Sequence, residues 1–486
     1  MRKGFLIVLA VVLVAALAAP AIAGMDATGF VRSKGYVSNF KNGATAPSLK
    51  EDAPTAAYVE QRFRAKFSFG EENVKAVWFV ETDFGAYGDA AGGTPVAVGT
   101  SSYTGGAQRN TGGALGGDRI NLETKNIFIW FKLPDTSLEF TVGLQNQTDS
   151  YAGVLFGGAD MAGIFMSGKF EPVSYTLGWA KLYENNNLKT DDMTLYALNL
   201  KFSLIKDLNM GLNFYFLQDD TQNDNTVGAL PFAGVTGDEN KKRVYTIGPA
   251  GSYNAGPVTI SGFFFHQFGE VDFLTPPGDS NVTIDGWAAD LRVDANIGPG
   301  KGFIEGIYIT GDDNPDDDNY KGIITLSDAN ASPGGNSFYA RTDMMILLPN
   351  ADDINTSSSL IGAAGVATAG GAFVGSTSPS NGGRGMWHIG AGYTMKLMDK
   401  LTGKVGAGYL AATKELKGTS NIDGTKKGKT MGTEVNANVN YNIMKGLDFG
   451  LYGAYCWLGD FYQSNVSGAK DPDNVYDMHF RLNYAF

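Results

Sequence analysis

The chain has 486 residues, of which 43% are apolar and only 18% charged, below the roughly 25% charged residues of an average soluble domain. Its single cysteine excludes a disulfide framework, a Cys-rich zinc or iron–sulfur centre and a CxxCH haem attachment. The net charge of −12 argues against nucleic acid as a partner, and the apolar content is too high for a disordered chain.

Residues 1–23 read as a secretory signal peptide. Arg2 and Lys3 form a positive start, Phe5 to Ala19 is an unbroken apolar run, and Ala21-Ile22-Ala23 fits a small-x-small cleavage site before Gly24. An uncleaved membrane anchor is the alternative, disfavoured because the run is short for a spanning helix. The remainder, 24–486, reads as one unit without another apolar stretch of spanning length.

From there the hydrophobic period is two. In Tyr58 to Phe69, Val59, Gln61, Phe63, Ala65, Phe67 and Phe69 share one face, and Glu60, Arg62, Arg64, Lys66 and Ser68 the other. Val74, Ala76, Trp78, Val80 and Thr82 then oppose Lys75, Glu81 and Asp83. The pattern returns at Leu138–Gln145, at Trp287–Asp294 and at Thr433–Tyr441. Such alternation predicts strands with one apolar and one polar side. Tight links are expected near Pro134-Asp135, Glu171-Pro172, Lys206-Asp207, Asn254-Ala255-Gly256, Gly298-Pro299-Gly300, Asp399-Lys400 and Lys445-Gly446. Long polar or Gly-rich links alternate with them, the longest at about 311–384, where Phe338 to Leu348 is either a further strand or part of a folded extracellular loop.

Short turns at one end and long loops at the other predict an all-β fold: a transmembrane antiparallel β-barrel of about 18 strands (16–20), with short periplasmic turns and long extracellular loops. A soluble β-sandwich would need several domains, and no linker separates them. A β-helix would need a fixed repeat, which is absent. In lipid every backbone polar group must be satisfied within the protein, and a closed sheet does this for all strands. A barrel this wide leaves an aqueous interior. The polar face therefore looks inward. Arg62, Arg64 and Lys66 on one strand face would each cost about 2–4 kcal/mol at a bilayer midplane. Aromatic girdles are expected near strand ends, with Trp78, Tyr87, Trp130, Trp179, Tyr183, Trp387, Tyr441, Trp457 and Tyr484 as candidates.

The most specific short feature is the segment with Tyr476, Met478, Phe480, Leu482, Tyr484 and Phe486 on one face and Asp477, His479, Arg481 and Asn483 on the other. With it, the chain resembles the Gram-negative outer-membrane porins, and looks closest to the porin-like channels of metal-reducing bacteria. The resemblance is architectural and spans 24–486. It implies location in the outer membrane among lipid and lipopolysaccharide, insertion by the barrel-assembly machinery with Tyr484 and Phe486 as the assembly signal, and a homotrimer. It also implies that the third long connection, Gln147 to Met161 with Asp149 and Asp160, folds inward to narrow the lumen.

The expected pore-lining basic residues are Arg32, Lys34, Arg62, Arg64, Lys66, Lys75, Arg119, Lys125 and Arg481, with the acidic residues Glu60, Glu81, Asp83 and Glu123 among them. If the last strand pairs with the first, these form one arc. General porins resemble this, with a basic wall facing acidic loop residues across a constriction. The competing reading is a solvated wall whose charges pair with each other.

Asp312, Asn314, Asp316 and Asp318 offer alternate oxygens suited to Ca²⁺. The EF-hand register fails, because Asp317 stands where Gly is needed and Ile323 where Glu is needed, so a hydrated acidic tip is the favoured alternative. No other cofactor is expected. His266, His388 and His479 lack a flanking nucleophile motif, which argues against an enzyme. The expected function is a water-filled channel for passive diffusion of small hydrophilic solutes and ions. The alternatives are a substrate-specific channel, or a barrel scaffold supporting extracellular cytochromes or adhesion.

Overall fold

The computed structural model describes residues 24–40, 52, 54–84, 87, 122–184, 187–220, 240–273, 280–313, 318–326, 341–348, 384–415, 428–463 and 473–486. The signal-peptide segment and Arg119, Asn314 and Asp316 lie outside the described residues.

The alternating segments form the strands β1(Met25–Ser38), β2(Ala56–Glu71), β3(Val74–Phe84), β4(Glu123–Lys132), β5(Glu139–Gln147), β6(Ala159–Phe170), β7(Val173–Tyr183), β8(Met193–Ile205), β9(Leu208–Asp219), β10(Asn240–Asn254), β11(Val258–Phe273), β12(Ser280–Ile297), β13(Gly300–Ile309), β14(Asn319–Tyr320), β15(Met386–Met398), β16(Leu401–Ala411), β17(Thr430–Met444), β18(Leu447–Leu458) and β19(Val475–Ala485). β14 is a two-residue parallel bridge onto β12. The other eighteen strands each pair antiparallel with their neighbours in sequence, and β13 passes directly to β15. The sheet closes where β1 pairs with β19, Lys34 opposite Arg481 and Tyr36 opposite His479. This is an all-β closed antiparallel barrel with the expected strand number.

Every expected tight link is a turn at one end of the barrel. Two of them show why the turn residues are what they are. Asp207 adopts φ +63° and Gly446 φ +79°, the left-handed conformation that two-residue hairpins require and that Asp and Gly accept most readily.

The two faces of the wall invert a soluble protein. Outward residues such as Ile304 and Leu291 are about 60% exposed (62% and 59%), while the inward Glu305 and Glu434 are fully buried. Outward aromatics form rows across the strands. Trp179, Tyr196, Phe216, Tyr245 and Phe268 stand directly opposite one another from β7 to β11, with ring centroids 5.7, 4.5 and 5.4 Å apart over the last four. Trp387 packs 5.0 Å from Tyr409 further round. Trp130 departs from the girdle expectation. It lies on the inward side of β4 with the Lys75 ammonium 5.8 Å from its ring, because the exposed outward positions of that strand are Ile127 and Ile129.

Candidate functional site: the barrel interior

The expected pore-lining charges gather on one contiguous arc, β19 and β1 to β4. Arg32 stands opposite Arg62, Lys34 opposite Glu60, Arg62 opposite Asp83, Arg64 opposite Glu81, and Glu81 opposite Glu123. Asp83 takes a bidentate grip from Arg62, at 2.8 Å from Nε and 2.6 Å from Nη2. Glu81 is met by three cations: Arg62 at 3.3 Å, Lys125 at 3.8 Å, and Arg64 in hydrogen-bond contact. Lys125 also reaches Asp160 at 3.1 Å. The acids and bases of the arc thus pair with each other along one wall. Below this knot, towards the turns, Lys66 and Lys75 are exposed. Arg32 donates to Asn483 at 3.0 Å, and Arg481 lies over the Tyr452 ring at 5.1 Å.

A second inward feature had no sequence warning. Tyr452, His479, Tyr36 and Tyr58 stand directly opposite one another across β18, β19, β1 and β2. Their ring centroids lie 4.6, 5.0 and 5.0 Å apart, the outer two pairs stacked and Tyr36–His479 tilted. This row crosses the closure seam.

The connection between β5 and β6 turns into the barrel, as its resemblance implied. Tyr151 and Val154 are completely buried there. The Tyr151 ring lies 4.7 Å from Phe265, 5.6 Å from Phe263 and 5.9 Å from Tyr215, and its hydroxyl donates to the carbonyls of Asn213 and Gly248. Asp149 does not face the basic arc, which corrects the transverse-field expectation. Its Oδ1 accepts the N–H groups of Tyr151 (2.6 Å) and Gly153 (3.0 Å), and its Oδ2 those of Leu155 (2.6 Å) and Phe156 (2.7 Å). A buried loop leaves its backbone donors without water, and a carboxylate is the strongest acceptor to satisfy them. Burial pushes this carboxyl up to about 6, although the four N–H groups pull the other way. Asp160 pairs with Lys125 and Asn126 on the wall instead.

The long connection after β13 also enters. Ile324 exchanges two hydrogen bonds with the Gln267 side chain, at 2.9 and 2.5 Å. Residues 341–348 are not a strand of the wall but a folded interior segment, because the wall supplies their backbone partners through side chains. Glu434 accepts the N–H groups of Met345 (2.6 Å), Ile346 (2.9 Å) and Leu347 (2.8 Å). Arg341 pairs with Asp290 at 2.7 Å, and Lys404 with Asp343 at 2.7 Å. In the acidic stretch, Asp312 is buried and accepts Lys321 N–H at 2.9 Å, closing its own loop. Asp318 receives a bond from Asn319.

No protein-family model matches the chain, and no curated protein is similar to it in sequence. Solved structures are similar in shape. OccAB4 of Acinetobacter baumannii superposes with a TM-score of 0.51 at 11% identity, over 95% of this chain and 98% of that one. OccK8 (OprE) of Pseudomonas aeruginosa gives 0.51 at 10% identity, and a BenF-like porin from Pseudomonas fluorescens Pf-5 gives 0.51 at 12%, both over the same shares. The chain has the fold of the outer-membrane porins.

Within this porin fold the named contacts of the two inward segments fall on β8 to β17. The charged arc occupies β19 and β1 to β4, the other side of the closed sheet. The barrel interior therefore has the two packed inward segments on one side and paired charges with an excess of cations on the other. Arg32, Lys34, Arg62, Arg64, Lys66, Lys75, Lys125 and Arg481 are set there against Glu60, Glu81, Asp83, Glu123 and Asp477, with Asp160 of β6 beside Lys125.

Proposed function

We propose that the protein forms a water-filled passage through the outer membrane by which small hydrophilic solutes and ions diffuse passively. The observation that carries this reading is the closed sheet with apolar residues exposed outside and a charged arc inside. Permeation through such a lumen needs no binding cycle; width and wall charge set its selectivity. On this reading the chain is exported, inserted by the barrel-assembly machinery as a monomer or homotrimer, and surrounded by lipid and lipopolysaccharide.

The two interior segments favour a second reading within the same class: a narrower channel selective for small organic anions, drawn by the cationic excess of the arc. One fold neighbour at TM-score 0.51 and 11% identity, OpdK of P. aeruginosa, was solved with vanillate. Planar-bilayer recording on purified protein tests both. Ohmic conductance indifferent to a solute panel supports the general passage, and conductance blocked by one carboxylate supports the selective one. Closed barrels with normal surface assembly would overturn both in favour of a scaffold.

A further inference from the structure

His388 projects inward from β15 and is almost wholly buried. Its Nδ1 lies 3.1 Å from Glu305 Oε2, and both side chains are fully excluded from solvent. A carboxylate only accepts, so Nδ1 carries the proton, and in the neutral imidazole the lone pair is on Nε2. That Nε2 has no hydrogen-bond partner among the described residues. A buried unpartnered acceptor is costly and calls for an explanation.

Nε2 points at the bare backbone of Gly408 on β16, 2.6 Å from where a Cβ would stand. The Met344 sulfur of the interior segment reaches the same place, at 2.7 Å. Gly390 gives the ring room from its own strand, where a Cβ would meet Cε1 at 2.7 Å. The two glycines thus let one imidazole nitrogen and one thioether sulfur press against the same bare backbone, where Asn436 Nδ2 also lies 3.9 Å from the sulfur. Met386, also fully buried, occupies the next inward position of β15.

We propose that His388 Nε2 and Met344 Sδ form a binding site for a soft monovalent metal ion, Cu(I) or its redox-inert analogue Ag(I). Thioether sulfur selects such ions over Zn²⁺, Mg²⁺ or Ca²⁺, which need four or more harder donors. The hydrogen bond from Nδ1–H to a carboxylate is the outer-shell arrangement that orients metal-binding histidines and raises their basicity. The Glu305 charge also balances that of a buried cation, which would otherwise be prohibitive in this interior. The ion would join the wall at β15 to segment 341–348, beside the Glu434 clasp, adding a metal staple to the hydrogen bonds there. The inference does not depend on what the lumen conducts.

The test uses the full folded barrel in detergent carrying Cys456→Ser, because a buried thiol would also take Ag(I) or Cu(I). Ag(I) is titrated calorimetrically, and Cu(I) is titrated anaerobically against a competing chelator. One equivalent should bind, with nitrogen and sulfur neighbours in the X-ray absorption spectrum. Met344→Leu, which keeps the packing volume, should abolish or greatly weaken binding. Glu305→Gln should weaken it roughly 10- to 100-fold, as expected for an outer-shell partner. The proposal is overturned if the Cys456→Ser barrel shows no saturable binding, if Met344→Leu binds as tightly as its parent, or if the absorption spectrum lacks a sulfur neighbour. Should His388→Gln fail to fold, Met344→Leu still decides.

Discussion

Leu326 donates its backbone N–H to the carbonyl oxygen of Leu155 at 2.8 Å. The two segments that enter the barrel are therefore fastened to each other as well as to the wall. Within the first, Asp149 gathers the loop's own backbone donors; further along the second, Glu434 gathers those of residues 345–347.

Glu434→Gln is expected to loosen residues 341–348. The carboxylate accepts three backbone N–H bonds, and hydrogen bonds to a charged group contribute about 1.5–3 kcal/mol each. The amide retains one acceptor oxygen and turns its NH₂ towards a donor. Single-channel conductance should rise or become noisy relative to the parent. Unchanged conductance would mean that this segment does not limit flow.

Asp149→Asn should act on the other segment. Each carboxylate oxygen takes two N–H groups, so an amide NH₂ in either position faces two donors. Protease cutting within 150–157 in the folded barrel should accelerate at least severalfold, read by mass spectrometry. Cutting at the parent rate would show that the Tyr151 packing alone holds the loop.

Lys66→Glu with Lys75→Glu should shift the zero-current potential in a salt gradient towards cation preference. These two are chosen because they are exposed, so the Arg62–Asp83–Glu81 knot is left intact. An unmoved reversal potential would take them out of the conducting path.

Removing Phe486 should lower the amount of heat-modifiable barrel recovered from outer membranes. Its backbone exchanges hydrogen bonds with Gly29 at 3.0 Å in both directions, and its ring lies 6.4 Å from Phe63. Those contacts span the closure between β19 and β1–β2. Recovery equal to the parent would contradict a role in assembly.

The wall was legible because period two is local: each strand carries its own inside and outside. The arc was legible for the same reason, since Arg62, Arg64 and Lys66 are two residues apart. What anchors the interior segments was not legible, because their partners are remote. Tyr151 meets Phe263 and Phe265, and Met345 meets Glu434, pairs that nothing in a short window connects. A signal did exist. The run Phe263-Phe264-Phe265 is apolar on both faces, and Tyr215, Ile307 and Ile309 stand on inward positions. Apolar residues facing a watery lumen require a cover, and the sequence pattern contained that requirement. The aromatic row at Tyr36 and His479 was hidden differently, because it depends on register across the seam.

That seam also sets a timetable. Tyr36 finds its partner His479 only after more than four hundred intervening residues have emerged. Until then every partial sheet offers a raw margin to strangers, and contacts so distant in sequence form slowly. The last pairing to form, β1 with β19, is the one that removes that margin.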